Sequence, residues 1–137
     1  SYRKRISAIF ASFHLFDRLY GQRDIPVEAV EAALDTVGLK GKTAYRDGRF
    51  TTLRLSTGQR KRLALAIAML EDRDILVFDE IAAEQDPEFR RRIYEEILPE
   101  LRGRGKAVLV ISHDERYFHC ADRLYFMEEG QLSLRSE

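Results

Sequence analysis

Ile75-Leu76-Val77-Phe78-Asp79-Glu80 is a short apolar run that ends on two carboxylates. Four apolar residues between Asp74 and Asp79 are too few for a helix and read as a strand buried on both faces. Ala107-Val108-Leu109-Val110-Ile111 repeats the pattern further on. Between the two, Pro87 suits the first position of a helix predicted to reach about Leu101, with Arg91/Glu95 and Arg92/Glu96 as pairs four apart. Gly103 and Gly105 break that helix before the second strand. Apolar strands alternating with helices predict an α/β fold with a mainly parallel sheet covered on both faces.

Upstream of this unit, Ser56 and Gln59 have capping-box spacing, and Leu63, Ile67 and Leu70 mark the buried stripe of the helix they open. Asp72 to Asp74 end it. Lys40 to Leu53 is polar, contains Gly41 and Gly48, and reads as irregular or turn-rich. An earlier helix is predicted from Pro26, with Val27, Val30, Leu34 and Val37 at helical spacing and Gly38 placed for a left-handed cap. Arg5 to Phe10 reads as a short strand, and the aromatic-rich stretch from Phe10 to Phe16 runs into a polar turn near Gly21 to Asp24. Downstream, Asp114 is placed to cap a short helix, and Arg123 to Met127 and Gln131 to Leu134 read as strands around a Glu-Glu-Gly turn. The first fifty residues are expected to form a mostly helical lobe beside the sheet.

Composition narrows the class. At 137 residues and 45% hydrophobic content the chain can bury a core, which argues against disorder. Lys+Arg and Asp+Glu both number 23, so no net basic field points to nucleic acid. The single cysteine, Cys120, fits a reducing compartment. The longest apolar run, Leu63 to Leu70, falls short of the roughly 20 residues that span a bilayer. The opening residues lead into only a short apolar stretch, unlike a secretory leader. These features together predict a soluble, cytoplasmic piece.

Four features with a use in phosphoryl transfer follow one another in a fixed order. Leu55-Ser56-Thr57-Gly58-Gln59 stands at a helix start, where free N–H groups and the positive end of the macrodipole favour an anion. Ser56 adds a hydroxyl, and Gly58 lets backbone approach a phosphate closely. Asp79 ends a buried strand, a position that suits Mg²⁺ with its preference for hard oxygen ligands. Glu80 beside it can orient and deprotonate an attacking water. Asp86 lies seven residues after Asp79, just before a helix, and His113 ends the next strand, where it can hydrogen-bond a terminal phosphate. Each also has a plain structural reading: a helix cap for Ser56, a solvated loop for Asp79-Glu80, a loop residue for His113. The order and the placement on elements carry the chemistry, not any one residue. His14 and His119 read as structural, and Arg90 to Arg92 as a solvated helix face.

In this arrangement Leu55 to Gln59 resembles the signature motif of ABC ATPases, with Thr57 where glycine is commonest. Ile75 to Glu80 resembles the Walker B strand with its catalytic glutamate, Asp86 the D-loop aspartate, and His113 the H-loop histidine. The wording Phe13-His14-Leu15-Phe16-Asp17, Arg60-Lys61-Arg62 and Asp86-Pro87-Glu88-Phe89-Arg90 is most similar to bacterial exporters of cyclic peptides and siderophores of the pyoverdine and syringomycin type. The resemblance implies a partial P-loop NTPase (RecA-like) core with a parallel sheet plus the ABC helical subdomain. Residues 1–10 would lead into the Q-loop, 11–70 would form the helical subdomain, and 71–137 the second half of the core. It implies ATP and Mg²⁺, with Asp79 as metal ligand and Glu80 and His113 as catalytic residues. It further implies head-to-tail pairing with a second ATPase domain, so that Leu55 to Gln59 meet the partner's ATP. A transmembrane domain at the cytoplasmic face of a bacterial inner membrane would be the other partner, with no nucleic acid.

The chain departs from that family in three places, one of them Ala83-Glu84-Gln85, which is more polar than is usual before Asp86. No Gly-x4-Gly-Lys-Ser/Thr phosphate loop occurs: for Gly41-Lys42-Thr43 the first glycine would have to stand at Thr36. The missing half is expected upstream of Ser1, which makes the chain a truncation or fragment, inactive alone. The Q-loop glutamine would fall near Ala11, where Ser12 or His14 would have to substitute. Two rival readings are the carboxyl-terminal lobe of an SMC-like DNA-maintenance ATPase and a non-catalytic module of the same fold. The first would follow a coiled coil, and residues 1–54 show no sustained heptad.

Overall fold

The computed structural model describes residues 6–9, by backbone alone, together with 25–71 and 73–135. The aromatic-rich stretch, the turn before Asp24, the Q-loop position, His14 and Asp72 lie outside the described residues. A three-stranded parallel sheet organises the rest. Its middle strand β2 (Ile75–Asp79) lies between β1 (Ile6–Ile9) and β3 (Ala107–Ile111). The register pairs Ile75 with Ala107 and Asp79 with Ile111, so both strands end level, at the carboxyl edge of the sheet. Leu76 and Phe78 are fully buried on one face, but the expected cover on both faces is not found among the described residues: Ile75, Leu109 and Ile111 on the other face are exposed.

The helix α1 (Val27–Thr36) buries Val30, Leu34 and Val37 in the core, while Val27, assigned by periodicity to the same stripe, is 50% exposed. Gly38 ends the element at φ +73: its N–H donates to Asp35 (3.0 Å) and that of Leu39 to Leu34 (2.8 Å), the paired bonds of a Schellman motif. The segment expected to be irregular or turn-rich contains a hairpin, β4 (Tyr45–Arg46) and β5 (Arg49–Phe50), turned by Asp47 and Gly48 at φ +51 and +76. Positive φ at both positions is the type I′ geometry that Asp-Gly favours. Tyr45 and Phe50 close the pair with ring centroids 5.0 Å apart.

Ser56 caps α2 (Thr57–Leu70) with a complete capping box: its hydroxyl accepts from the Gln59 N–H (3.2 Å) and the Gln59 side chain accepts from the Ser56 N–H (3.0 Å). Leu63 is buried as expected, but so are Ala64, Leu65, Ala66 and Ala68, because α2 is enclosed on more than one side and α1 packs along it. The long helix after Asp86 is not uniform. It runs as α3 (Pro87–Arg92), a π-helical turn at Ile93–Ile97, and α4 (Leu98–Gly103). Pro99 has no N–H and its ring would strike the Glu95 carbonyl in a regular helix; the wider turn relieves both. Ile93, Tyr94, Ile97, Leu98 and Leu101 stay buried across the change, within one core shared with α1, α2 and β2.

A 3-10 turn at Glu115–Cys120 follows β3, without the side-chain cap bond expected of Asp114. Then β6 (Leu124–Glu128) and β7 (Gln131–Arg135) form a second hairpin around Glu129-Gly130. No helix among the described residues is long and apolar enough to cross a membrane.

Candidate functional site

Both strands β2 and β3 deliver their chemistry at the carboxyl edge of the sheet. The Glu80 N–H donates to the Ile111 carbonyl (3.0 Å), continuing the ladder one residue past Asp79, and brings the Glu80 carboxylate 3.3 Å from Nε2 of His113. The His113 side chain is 93% exposed, free to reach a ligand above the edge. Glu80 itself sits at φ +54, a left-handed conformation that costs a residue with a Cβ on the order of 1–3 kcal/mol and persists only where neighbours over-determine it. Those neighbours are identifiable. Besides the bond to Ile111, the Glu80 carbonyl accepts from the Ala83 N–H (3.1 Å) and from Nζ of Lys61 (3.1 Å).

An open cleft of about 340 Å³ lies beside this pair, lined by Glu80, His113, Arg90, Tyr94, Asp114 and Arg116 among others. Arg116 donates to both Asp114 oxygens (2.9 and 3.0 Å) and holds that carboxyl below its ordinary range. Arg90 stands 3.8 Å from the same carboxylate. The Tyr94 hydroxyl bonds Ser112 Oγ (2.8 Å) and its ring stacks on Tyr117 (4.7 Å); burial pushes the phenol pKa up. Asp114 therefore offsets part of the charge of these two arginines. Arg90 also donates to the Gln85 carbonyl (3.1 Å), and Arg92 to the Thr36 carbonyl (2.9 Å). Of the run read as a solvated face, Arg90 and Arg92 tie elements together, while Arg91 with Glu95 and Arg92 with Glu96 form the expected pairs four apart on the helix surface.

Leu55 to Gln59 and Asp86 meet elsewhere, and neither they nor Asp79 lines that cleft. Asp86 caps α3 through the Phe89 N–H (2.9 Å) and receives Arg62 (2.8 Å); both hold its carboxyl low, the Phe89 bond most. Arg62 also bonds the Gln85 side chain (2.9 Å), reaches the Val37 carbonyl (3.2 Å), and lies 3.8 Å above the Phe89 ring. The Gln85 amide in turn donates to the Gly58 carbonyl (2.9 Å). The start of α2 is thus tied to residues 80–86 by main-chain and side-chain bonds. Ser56 and Thr57 remain exposed at its tip.

Gly58 has a packing reason as well as the one read from its sequence context. A Cβ there would stand 2.8 Å from the Glu84 carbonyl oxygen, a backbone atom whose residue is itself held at φ +66. Gly58→Ala is expected to destabilise the chain by about 1–2 kcal/mol, because this overlap outweighs the alanine gain in helix propensity. A urea midpoint equal to or above that of the parent chain excludes that close approach.

No cluster of three or more His, Cys, Asp or Glu suited to a metal occurs among the described residues. A single half-buried carboxylate at a strand end, Asp79, nevertheless fits Mg²⁺, which keeps several waters and completes its shell from phosphate oxygens. Lys61, Arg62 and Tyr94 have no site role in the sequence reading, and Gln85 enters it only as part of the polar Ala83-Glu84-Gln85 before Asp86. Only the Arg60-Lys61-Arg62 run hinted at Lys61 and Arg62, and basic residues on a helix are by default solvated.

Comparison with known proteins gives a consistent picture. The ABC transporter family model matches residues 1–83. The ATP-binding protein SyrD of Pseudomonas syringae pv. syringae is 48% identical over 133 residues, covering 94% of this chain and 24% of that protein. The arginine transport ATP-binding protein ArtM of Bacillus subtilis (strain 168) is 28% identical over 140 residues, 95% of this chain and 58% of that protein. The macrolide export ATP-binding/permease protein MacB of Escherichia coli (strain K12) is 26% identical over 143 residues, 95% of this chain and 21% of that protein. The chain therefore spans less than two thirds of each of these relatives.

Proposed function

The chain belongs to the ABC transporter ATP-binding family, and from that membership we propose that it is the signature-bearing, water-activating part of an ATPase that drives export. The observation that carries the reading is the pair Glu80 and His113, held 3.3 Å apart at the carboxyl edge of a parallel sheet. Substrates of open parallel sheets bind at that edge. We assign residues 11–70 to the helical subdomain and 71–137 to the second half of a RecA-like core, with 1–10 leading into the Q-loop.

The chemistry divides among the residues as follows. The Glu80 carboxylate orients the attacking water and takes its proton, and the exposed His113 ring hydrogen-bonds the terminal phosphate of ATP in the same domain. Asp79 would hold Mg²⁺, which would supply charge neutralisation to the phosphates when bound. The α2 amino terminus with Ser56 and Gly58 faces ATP held by a second ATPase domain, paired head to tail. Asp86, through Arg62 and Gln85, connects that surface to the Glu80 loop. ATP-driven closure followed by hydrolysis and reopening is coupled to a transmembrane domain, at the cytoplasmic face of a bacterial inner membrane. Similarity to MacB, a macrolide export protein, favours export, and the wording around Phe13 to Asp17 and Leu55 to Arg62 favours a peptide or siderophore cargo. The match to the ABC transporter family model and the similarity to ArtM and MacB, a transport and an export protein, weigh against the SMC-like reading.

The 137 residues contain no phosphate loop. Backbone amides and a lysine of that loop supply most of the grip on the phosphates. The chain alone is therefore expected to show no Mg²⁺-dependent ATP turnover above background. The transporter polypeptide that carries it is expected to turn over. Steady turnover by the chain alone, lost in Glu80→Gln, overturns the need for the phosphate loop; an inactive polypeptide overturns the ATPase reading.

A further inference from the structure

Lys61 is 3% exposed, the kind of burial a lysine tolerates only with partners. Its partners are specific. Nζ donates to the Glu80 carbonyl (3.1 Å) and stands 3.8 Å from the Glu84 carboxylate. These two acceptors bracket the loop after β2, and both residues hold positive φ, +54 and +66. The Glu80 peptide groups are pinned on both sides. Ile111 of β3 takes the N–H, and Lys61 of α2, with the Ala83 N–H, takes the carbonyl. With the backbone so fixed, the Glu80 carboxylate points at His113.

We propose that Lys61 is a positioning residue: it clamps the left-handed backbone of Glu80 so that the carboxylate is aimed at the attacking water, and it makes that aim depend on where α2 sits. The inference rests on Glu80 acting as the base. α2 begins at Ser56 and Gly58, the surface assigned to the partner's ATP, and Lys61 lies on its second turn. A shift of α2 on pairing moves the clamp with it, so the aim of the base follows the position of α2. Arg62, one residue on, holds the other end of the same loop through Gln85 and Asp86. The loop cannot follow α2 at one end alone.

The test uses the transporter polypeptide and four variants. Lys61→Met keeps the buried aliphatic stem and removes the donor; Lys61→Arg keeps a donor. Misplacing a reacting group by about 1 Å costs on the order of 100-fold. Lys61→Met is therefore expected to lower kcat by roughly 10- to 100-fold, with KM for ATP changed less than about twofold, and Lys61→Arg to recover much of the loss. In a Glu80→Gln background, Lys61→Met should change the residual rate by less than about twofold, because the group it positions is already gone. Unchanged kcat in Lys61→Met overturns the proposal. So does a loss of equal size in the Glu80→Gln background, which marks a general structural effect. A Glu80→Gln protein with the parent rate instead removes the reading of Glu80 on which the clamp depends.

Discussion

Glu80→Gln in the transporter polypeptide is expected to lower ATP hydrolysis by at least about 100-fold while leaving ATP binding and domain pairing intact, which is about 2.7 kcal/mol on the barrier. The substitution keeps the shape of the side chain. Oε1 can still accept from His113 at the observed 3.3 Å, and the hydrogen bonds from the Glu80 N–H to Ile111 and from Lys61 Nζ to the Glu80 carbonyl use only main-chain atoms of Glu80 and are unaffected. Glutamine pays much the same penalty at φ +54 as glutamate, since both carry the same unbranched Cβ. What disappears is the ability to take a proton from water. Asp79, Ser56 and Gly58 are untouched, so the nucleotide-bound pair should accumulate, trapped before hydrolysis. The measurement is steady-state phosphate release together with sedimentation in ATP. Parent-level hydrolysis, or failure to pair, shows that Glu80 does something other than activate water.

That this residue could be singled out at all reflects what kind of information the sequence holds. The Ser56/Gln59 capping box, the Gly38 cap and the apolar strand Ile75–Phe78 are local codes, each set by a few neighbouring residues, and the structure reproduces them. The approach of Glu80 to His113 is one step removed: it follows from two strands ending in register, Asp79 against Ile111, which a parallel sheet with a short crossover makes natural. Three features escaped for different reasons. Asp47-Gly48 is a strong hairpin signal, but strands of two residues have no period to read. Pro99 does widen its helix to a π turn, yet the helix continues, because buried Ile93, Tyr94, Ile97 and Leu101 outweigh one lost bond. Lys61 and Arg62 look like any basic pair on a helix surface. Only tertiary placement reveals that one is buried against the Glu80 carbonyl and the other joins Asp86, Gln85 and Val37. Long-range polar ties of this sort have no sequence period. They occur where a loop must be held in a strained shape.

Ser56→Arg is expected to abolish ATP-dependent pairing while each domain still binds its own nucleotide. Ser56 is exposed at the tip of α2, and a guanidinium there occupies the space into which the partner's bound ATP must come. Its charge is attractive to phosphate, so electrostatics alone would favour pairing. The argument rests on bulk, since the close approach needs a small hydroxyl and bare amides at the helix start. The substitution also removes the cap bond to the Gln59 N–H, at a cost of about 1 kcal/mol. Fraying of α2 could by itself weaken pairing, so Ser56→Ala is the necessary companion. It loses the same cap but adds no bulk, and should pair at a moderately raised ATP concentration. Sedimentation of both variants in the Glu80→Gln background, where the paired state accumulates, separates the two effects. Should Ser56→Arg pair normally, the start of α2 does not face the partner's nucleotide. If Ser56→Ala and Ser56→Arg fail alike, Ser56 acts as a helix cap and the steric argument is lost.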